Sequence, residues 1–343
     1  MTTFISRSIP FKDILRDLAK EMNTSFSQSC EEYILEIPPH IGEGSIRGIN
    51  FKEGLGLMMY DCLFYKEVEI KFILNEVHPL KFMFCEEGCF KHRFQGSEDA
   101  NEVERFQSVI VASDRKRGHI LNFKPGVRTK INNLEIDRRV FYNSKSCEIN
   151  RLNSDLRELF KDLEGNKPFY YHGNYSLKTA DAFTRISNFE GAPFIRNLFI
   201  QSQTYHVFFI QVLEYKDAQS PKENQSILLK QELNLIYEAA NIINSDLLNF
   251  RGVKELAFEV GLNPNKLQNG FKEIYGKTVN LYIQEKRLSE AEVLIKNTDL
   301  TFSQISDKVG ISSKSYFSKI FKDKYGLTPS QIRKNHTEKI INR

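Results

Sequence analysis

Histidine and cysteine are the side chains best able to hold a metal or move a proton near neutral pH, and this chain spaces them poorly for either task. His40, His78, His92 and His119 stand singly. A metal-dependent β-barrel enzyme needs a His-x-His pair with a carboxylate and a third histidine, and no such pair occurs. Histidines placed in this way read as packing or surface residues. Cys85 and Cys89 lie four positions apart, but no second pair completes a metal or redox site. With Cys30, Cys62 and Cys147 they form an odd, scattered set suited to reduced thiols. No nucleophile elbow, Walker loop or dinucleotide fingerprint is found. Neither catalysis, cofactor nor metal is expected.

A different chemistry is written near the C-terminus. Asn265, Lys266, Gln268, Asn269 and Lys272 form one polar set, and Ser313, Lys314, Ser315, Ser318, Lys319 and Lys322 form another. Amide side chains match the N6/N7 edge of adenine, and lysine reaches guanine O6/N7 or a phosphate. Gln268 is the expected base reader and Lys319 the expected base or phosphate contact. Ser313 and Ser315 are placed for the nucleic-acid backbone near a helix N-terminus. Any one of these lysines alone would be an ordinary solvated residue. The charge balance adds weight: from residue 228 onward there are 18 Lys and Arg against 13 Asp and Glu, whereas residues 1–227 carry 30 against 31. The positive excess sits where the two polar sets sit.

What must position these sets is a pattern written twice. Leu256, Ala257 and Val260-Gly261 align with Ile305, Ser306 and Val309-Gly310, and Phe271-Lys272 aligns with Phe321-Lys322 after one extra residue. A repeat of this size is a structural unit. Each copy predicts two short helices about a glycine turn. In the first, Asn263 is the expected N-cap and Pro264 the first helical residue. In the second, Thr301 and Gln304 suit a capping box and Ser312 can cap the following helix. Small residues, Ala257 and Ser306, leave room for the helices to cross. This is the helix-turn-helix plan, whose second helix enters the major groove. A connecting helix over about Val279 to Lys296 has Leu281, Ile283, Leu288, Ala291, Leu294 and Ile295 to grip both units.

Tandem units joined by one long helix resemble the DNA-binding domain of the AraC/XylS transcription regulators. The resemblance rests on Leu256-Ala257, Val260-Gly261, Phe271-Lys272, Gly276, Arg287-Leu288, Ala291, Leu294, Ile305, Val309-Gly310, Tyr316-Phe317, Phe321-Lys322, Gly326, Thr328-Pro329 and Arg333. It covers roughly residues 228–336. Asn265 and Asn269 stand where many relatives present an aromatic residue or arginine, so their base preferences are not carried over. The resemblance implies double-stranded promoter DNA as partner, with RNA polymerase, a small-molecule effector and a second copy of the chain as further partners. It also implies a cupin-like β-barrel at the front.

The residues themselves say only that the front is β-rich. An amphipathic helix over residues 11–22 is followed, from Tyr33 to about Phe141, by short strand-like runs between Gly, Pro and Asn breaks. Leu57, Met59, Phe64, Phe72, Phe82, Phe84 and Phe94 are expected on the inner faces. Helix returns over residues 153–215, where Phe194, Ile195, Leu198, Phe199, Tyr205, Phe208, Phe209, Val212 and Leu213 make a broad apolar face for packing or for a dimer. The polar run 217–226 reads as a linker.

The expected architecture is therefore α+β and multidomain. Residues 1–150 form a β-rich, cupin-like sensor, 151–216 a helical dimerisation segment and 227–343 an all-α DNA-binding domain. No effector-binding residue stands out. No apolar run is long enough to span a bilayer and no signal-peptide segment opens the chain, so a cytoplasmic, one-component regulator is expected. Three alternatives stay open: a cupin-type metal enzyme fused to a DNA-binding tail, a structural DNA organiser that binds unrelated sequences alike, and a regulator controlled by a protein partner.

Overall fold

Strands with apolar residues at every second position, then helices with apolar residues every third or fourth, divide the chain into two units, Met1–Asn224 and Gln225–Arg343. The computed structural model describes all residues except 75, 116, 153, 220–229, 246, 248–251 and 335–343. The expected linker therefore lies, from residue 220 on, outside the described residues.

In the first unit the strands are β1 (Thr2–Ser6), β2 (Phe26–Ser29), β3 (Glu32–Glu36), β4 (Gly42–Asn50), β5 (Leu55–Phe64), β6 (Val68–Phe72), β7 (Leu80–Glu87), β8 (Cys89–Phe94), β9 (Asn101–Glu104), β10 (Gln107–Ala112), β11 (His119–Phe123), β12 (Thr129–Ile136) and β13 (Phe169–Tyr175). Its helices are α1 (Phe11–Glu21), α2 (Arg138–Ile149), α3 (Ser154–Lys161), α4 (Leu177–Ser187) and α5 (Pro193–Ala218). One sheet has the order β1-β6-β11-β8-β9 and the other β13-β10-β7-β12-β5-β4-β3-β2. Neighbours are antiparallel except β1 and β6, which run parallel.

The two sheets enclose one core, yet neither closes into the expected barrel. The physical reason lies with α1, which packs against β1 of one sheet and β3 and β4 of the other, filling the gap that closure would need. Phe11, the first residue of α1, is buried over the larger sheet where two strands lack side chains. A Cβ on Gly48 would meet the Phe11 Cβ at 2.7 Å, and one on Gly56 would meet its ring at 2.6 Å. Glycine is needed at both places for this close approach.

Strand alternation corrects part of the expected inner face. On β5 it is Met58, Tyr60, Cys62 and Phe64 that join the inter-sheet core, so Leu57 and Met59 face the other way. Phe82 and Phe84 of β7 also face outward. Phe82 meets Phe208 of α5 edge-on at 5.3 Å, and Phe84 stacks on Phe183 of α4 at 5.7 Å. The larger sheet is thus covered on both faces, by the second sheet and by helices. That is why β7 reads as a continuous apolar run.

The second unit contains α6 (Lys230–Ser245), α7 (Val253–Glu259), α8 (Pro264–Tyr275), α9 (Val279–Asn297), α10 (Phe302–Lys308) and α11 (Lys314–Tyr325), followed by helical residues 329–334. Leu288, Ala291 and Ile295 of α9 form one core with Ile305, Val309, Phe317, Ile320 and Phe321. Leu256, Ala257, Leu267 and Phe271 are buried in the other pair, as are Ile236, Ala239, Ala240 and Ile243 of α6. Among the described residues no helix is long and apolar enough to cross a membrane.

Candidate nucleic-acid interface

Each helix pair is built by local rules. In the first, Gly261 turns the chain at φ 70°, where glycine carries no steric penalty. The Asn263 side chain then accepts from the N–H groups of Asn265 and Lys266 at 2.8 and 3.2 Å, and Pro264 opens α8. In the second, Thr301 and Gln304 close a capping box at the start of α10, and Gly310 turns at φ 72°. Ser306 is fully buried and donates to the carbonyl of Ile311, so its hydroxyl locks the turn as well as leaving space. The cap of α11 is Ser313, accepting from the Tyr316 N–H at 3.3 Å, and not Ser312.

The faces left outward are polar. Asn265, Lys266, Asn269 and Lys272 of α8 are exposed, as are Lys314, Ser315, Ser318, Lys319 and Lys322 of α11. Two of the expected contacts also carry a hydrogen bond within the domain. Gln268 is half-buried, and its Oε1 accepts from the N–H of Val279, the first residue of α9, at 3.1 Å. Gln268 thereby joins α8 to α9, while the amide keeps Nε2 and a second Oε1 lone pair. Ser313 accepts from the Tyr316 N–H of its own helix, which leaves its O–H to donate. Lys266 pairs with Glu232 of α6 at 2.5 Å, an exposed ion pair worth less than about 1 kcal/mol and easily exchanged for a phosphate.

Two residues that carry the resemblance make contacts the sequence did not indicate. Tyr316 is exposed on α11 beside the lysines, its hydroxyl accepting from Gln284 Nε2 of α9 at 3.4 Å. It adjoins buried Phe317, and only the register of α11 separates the two. Arg287 of α9 donates to the carbonyls of Gly310 at 2.9 Å and of Leu247 at 2.9 and 3.3 Å. It therefore ties the turn of the second pair to the segment after α6. An arginine in a long polar helix gives no such signal in sequence.

The histidines single in sequence are not single in space. His92 Nε2 and His119 Nδ1 lie 3.0 Å apart, and the rings of His78 and His119 meet at 5.1 Å. Burial holds all three neutral, pushing His78 and His92 down to about 3 and His119 well below its ordinary value, with Lys81 adding to each. Among the described residues no group of three or more His, Cys, Asp or Glu is placed to hold a metal. Cys85 and Cys89 flank the β7–β8 turn, and burial raises both thiols.

A helix-turn-helix domain family matches residues 256–335. The Msm operon regulatory protein of Streptococcus mutans is 26% identical over 183 residues, 53% of this chain and 64% of that protein. The arabinose operon regulatory protein of Escherichia coli is 30% identical over 109 residues, 31% of this chain and 37% of that protein. The chain thus spans less than two thirds of the length of each of these relatives. Among solved structures, the C-terminal domain of the response regulator yesN from Fusobacterium nucleatum is 29% identical, covering 29% of this chain and 98% of that one, with a TM-score of 0.28. ToxT from Vibrio cholerae is 18% identical, covering 82% of this chain and 97% of that one, with a TM-score of 0.32. Residues 256–335 are thus a helix-turn-helix domain of the AraC type, similar to the one these operon regulators carry.

Proposed function

We propose that the protein is a one-component regulator that binds promoter DNA through α8 and α11 and answers to a small molecule held by its first unit. The observation that carries this reading is the pair of outward polar helices set on one rigid α9. At about 1.5 Å per residue α9 spans on the order of 28 Å, so helices offset from its ends can approach the spacing of successive major-groove segments. Asn265 and Asn269 take the part of base readers beside Gln268. Lys272, Lys314, Lys319 and Lys322 serve phosphates or guanines, and Ser315 and Ser318 the sugar-phosphate backbone.

The first unit supports the effector reading with a cleft of about 700 Å³, a volume usual for small-molecule sites. The apolar stripe of Phe194, Ile195, Leu198, Phe209 and Leu213, exposed along α5, suits a homodimer. The two-sheet sandwich can serve as the cupin-like sensor of such regulators without a closed barrel. RNA polymerase is the further partner this reading requires.

The test is fluorescence anisotropy of the full chain on duplexes selected from random sequence. A selected duplex should bind about 10³-fold or more tighter than an unrelated one. Asn269→Ala should lose roughly 1–3 kcal/mol of preference at one base pair, while Lys322→Ala weakens all duplexes alike and lowers the salt slope by about one. Near-equal binding of selected and unrelated duplexes would sink the reading.

A further inference from the structure

We propose that the cleft beside the start of α2 binds a small organic anion, a carboxylate or a phosphate ester, seated on Arg138. The polar part of its lining is Glu76, His78, Arg115, Asp137, Arg138 and Arg139. Arg138 is 4% exposed, and its partners are chiefly main-chain carbonyls: Nη1 donates to Asp162 at 2.8 Å and Nη2 to Ser113 at 3.2 Å. The carboxylate paired with it, Asp162, lies 3.5 Å from Nη1 and is shared with the N–H groups of Asn166 and Lys167. The Arg138 Nε has no hydrogen-bond partner, and neither has Nε2 of His78, which is 1% exposed. A buried guanidinium with an unused donor and a distant, shared counter-charge is under-neutralised. An anion accepting from Nε would offset that cost.

The rest of the wall fits the same ligand. Arg115 and Arg139 hold the two oxygens of Glu164 at 2.6 and 2.8 Å, so the chain itself already seats a carboxylate between two of these arginines. Asp137 directs Oδ1 to the N–H groups of Arg139 and Val140, at 3.0 Å each. Its charge is thereby given to the helix end. With Glu164 shared by two of the three arginines, the donor left open in the lining is Nε of Arg138. His78 is held neutral by burial, with Lys81 and Arg138 nearby, so it offers a ring nitrogen as donor or acceptor and not a competing charge.

This inference rests on reading the first unit as an effector domain. Its test is calorimetric titration of the full chain with glucose 6-phosphate, glucuronate and inorganic phosphate, with glucose as the uncharged control. At least one anion should bind at millimolar concentration where glucose does not. Affinity should fall about tenfold or more in Arg138→Lys, which keeps the charge but loses Nε–H. Because Arg138 also supports the loop carbonyls, Arg115→Gln, at an exposed position, gives a second arm and should weaken binding severalfold. Glucose binding as well as the anions, no binding by any of the three, or wild-type affinity in both variants would overturn the proposal. Repeating the titration on the DNA complex separates the two ideas: an anion that binds without altering DNA affinity upholds the site and removes its regulatory role.

Discussion

At Glu214 burial raises the carboxyl to about 7, although Ser176, the N-cap of α4, donates to its Oε1 at 2.5 Å. A carboxyl raised above its ordinary 4.5 favours the folded state most when protonated. Its contribution is complete below about pH 4.5 and is lost as pH rises through about 7, on the order of 3 kcal/mol at most. The histidines act in the opposite sense: depressed from 6.5, they stabilise above that pH, and this is lost as pH falls toward about 3. Chemical denaturation of the first unit's strands should show Glu214→Gln removing the decline between pH 5 and 7.5 while leaving the acid side unchanged. An unchanged alkaline decline would mean that Glu214 is not the group responsible. None of this was legible in sequence, because burial of one carboxyl on α5 depends on which way a broad apolar helix turns.

Among the elements, α8 carries a glycine in its interior, Gly270, which in isolation costs about 1 kcal/mol relative to alanine. A Cβ there would stand 2.1 Å from Ile236 Cδ1 of α6 and 2.9 Å from its Cγ1. Ile236 is fully buried, so overpacking of about 1–3 kcal/mol outweighs the propensity gain. Gly270→Ala should therefore destabilise the second unit, and Ile236→Val, which removes Cδ1, should restore part of the loss. Additive effects in thermal denaturation would contradict the contact. The helices here were readable because caps and turns are local: Asn263, Pro264, Gly261, Thr301, Gln304 and Gly310 each occupy the place their chemistry suggests. The bond of Gln268 to the Val279 N–H was not legible because that partner belongs to the next helix. The strands were legible as strands, but α1 between the sheets turned the expected barrel into an open sandwich, and sequence carries no mark of that placement.

For the whole molecule, the exposed stripe on α5 is the surface on which the proposed homodimer rests. Phe194 is 76% exposed and Phe209 57%, more than a solitary helix face of a monomer ordinarily leaves to water. Leu198→Glu with Phe209→Glu should shift sedimentation from dimer to monomer and weaken binding to DNA sites arranged as repeats, while affinity for a single site changes little. A parent chain that already sediments as a monomer would refute the dimer. The tie made by Arg287 has a different consequence. One side chain closes the segment after α6 onto the turn before α11, so the tandem units cannot melt independently while its three carbonyl bonds stand. Amide exchange should find α8 and α11 opening in one cooperative step, and Arg287→Ala should split that step in two, freeing each helix to exchange at its own rate.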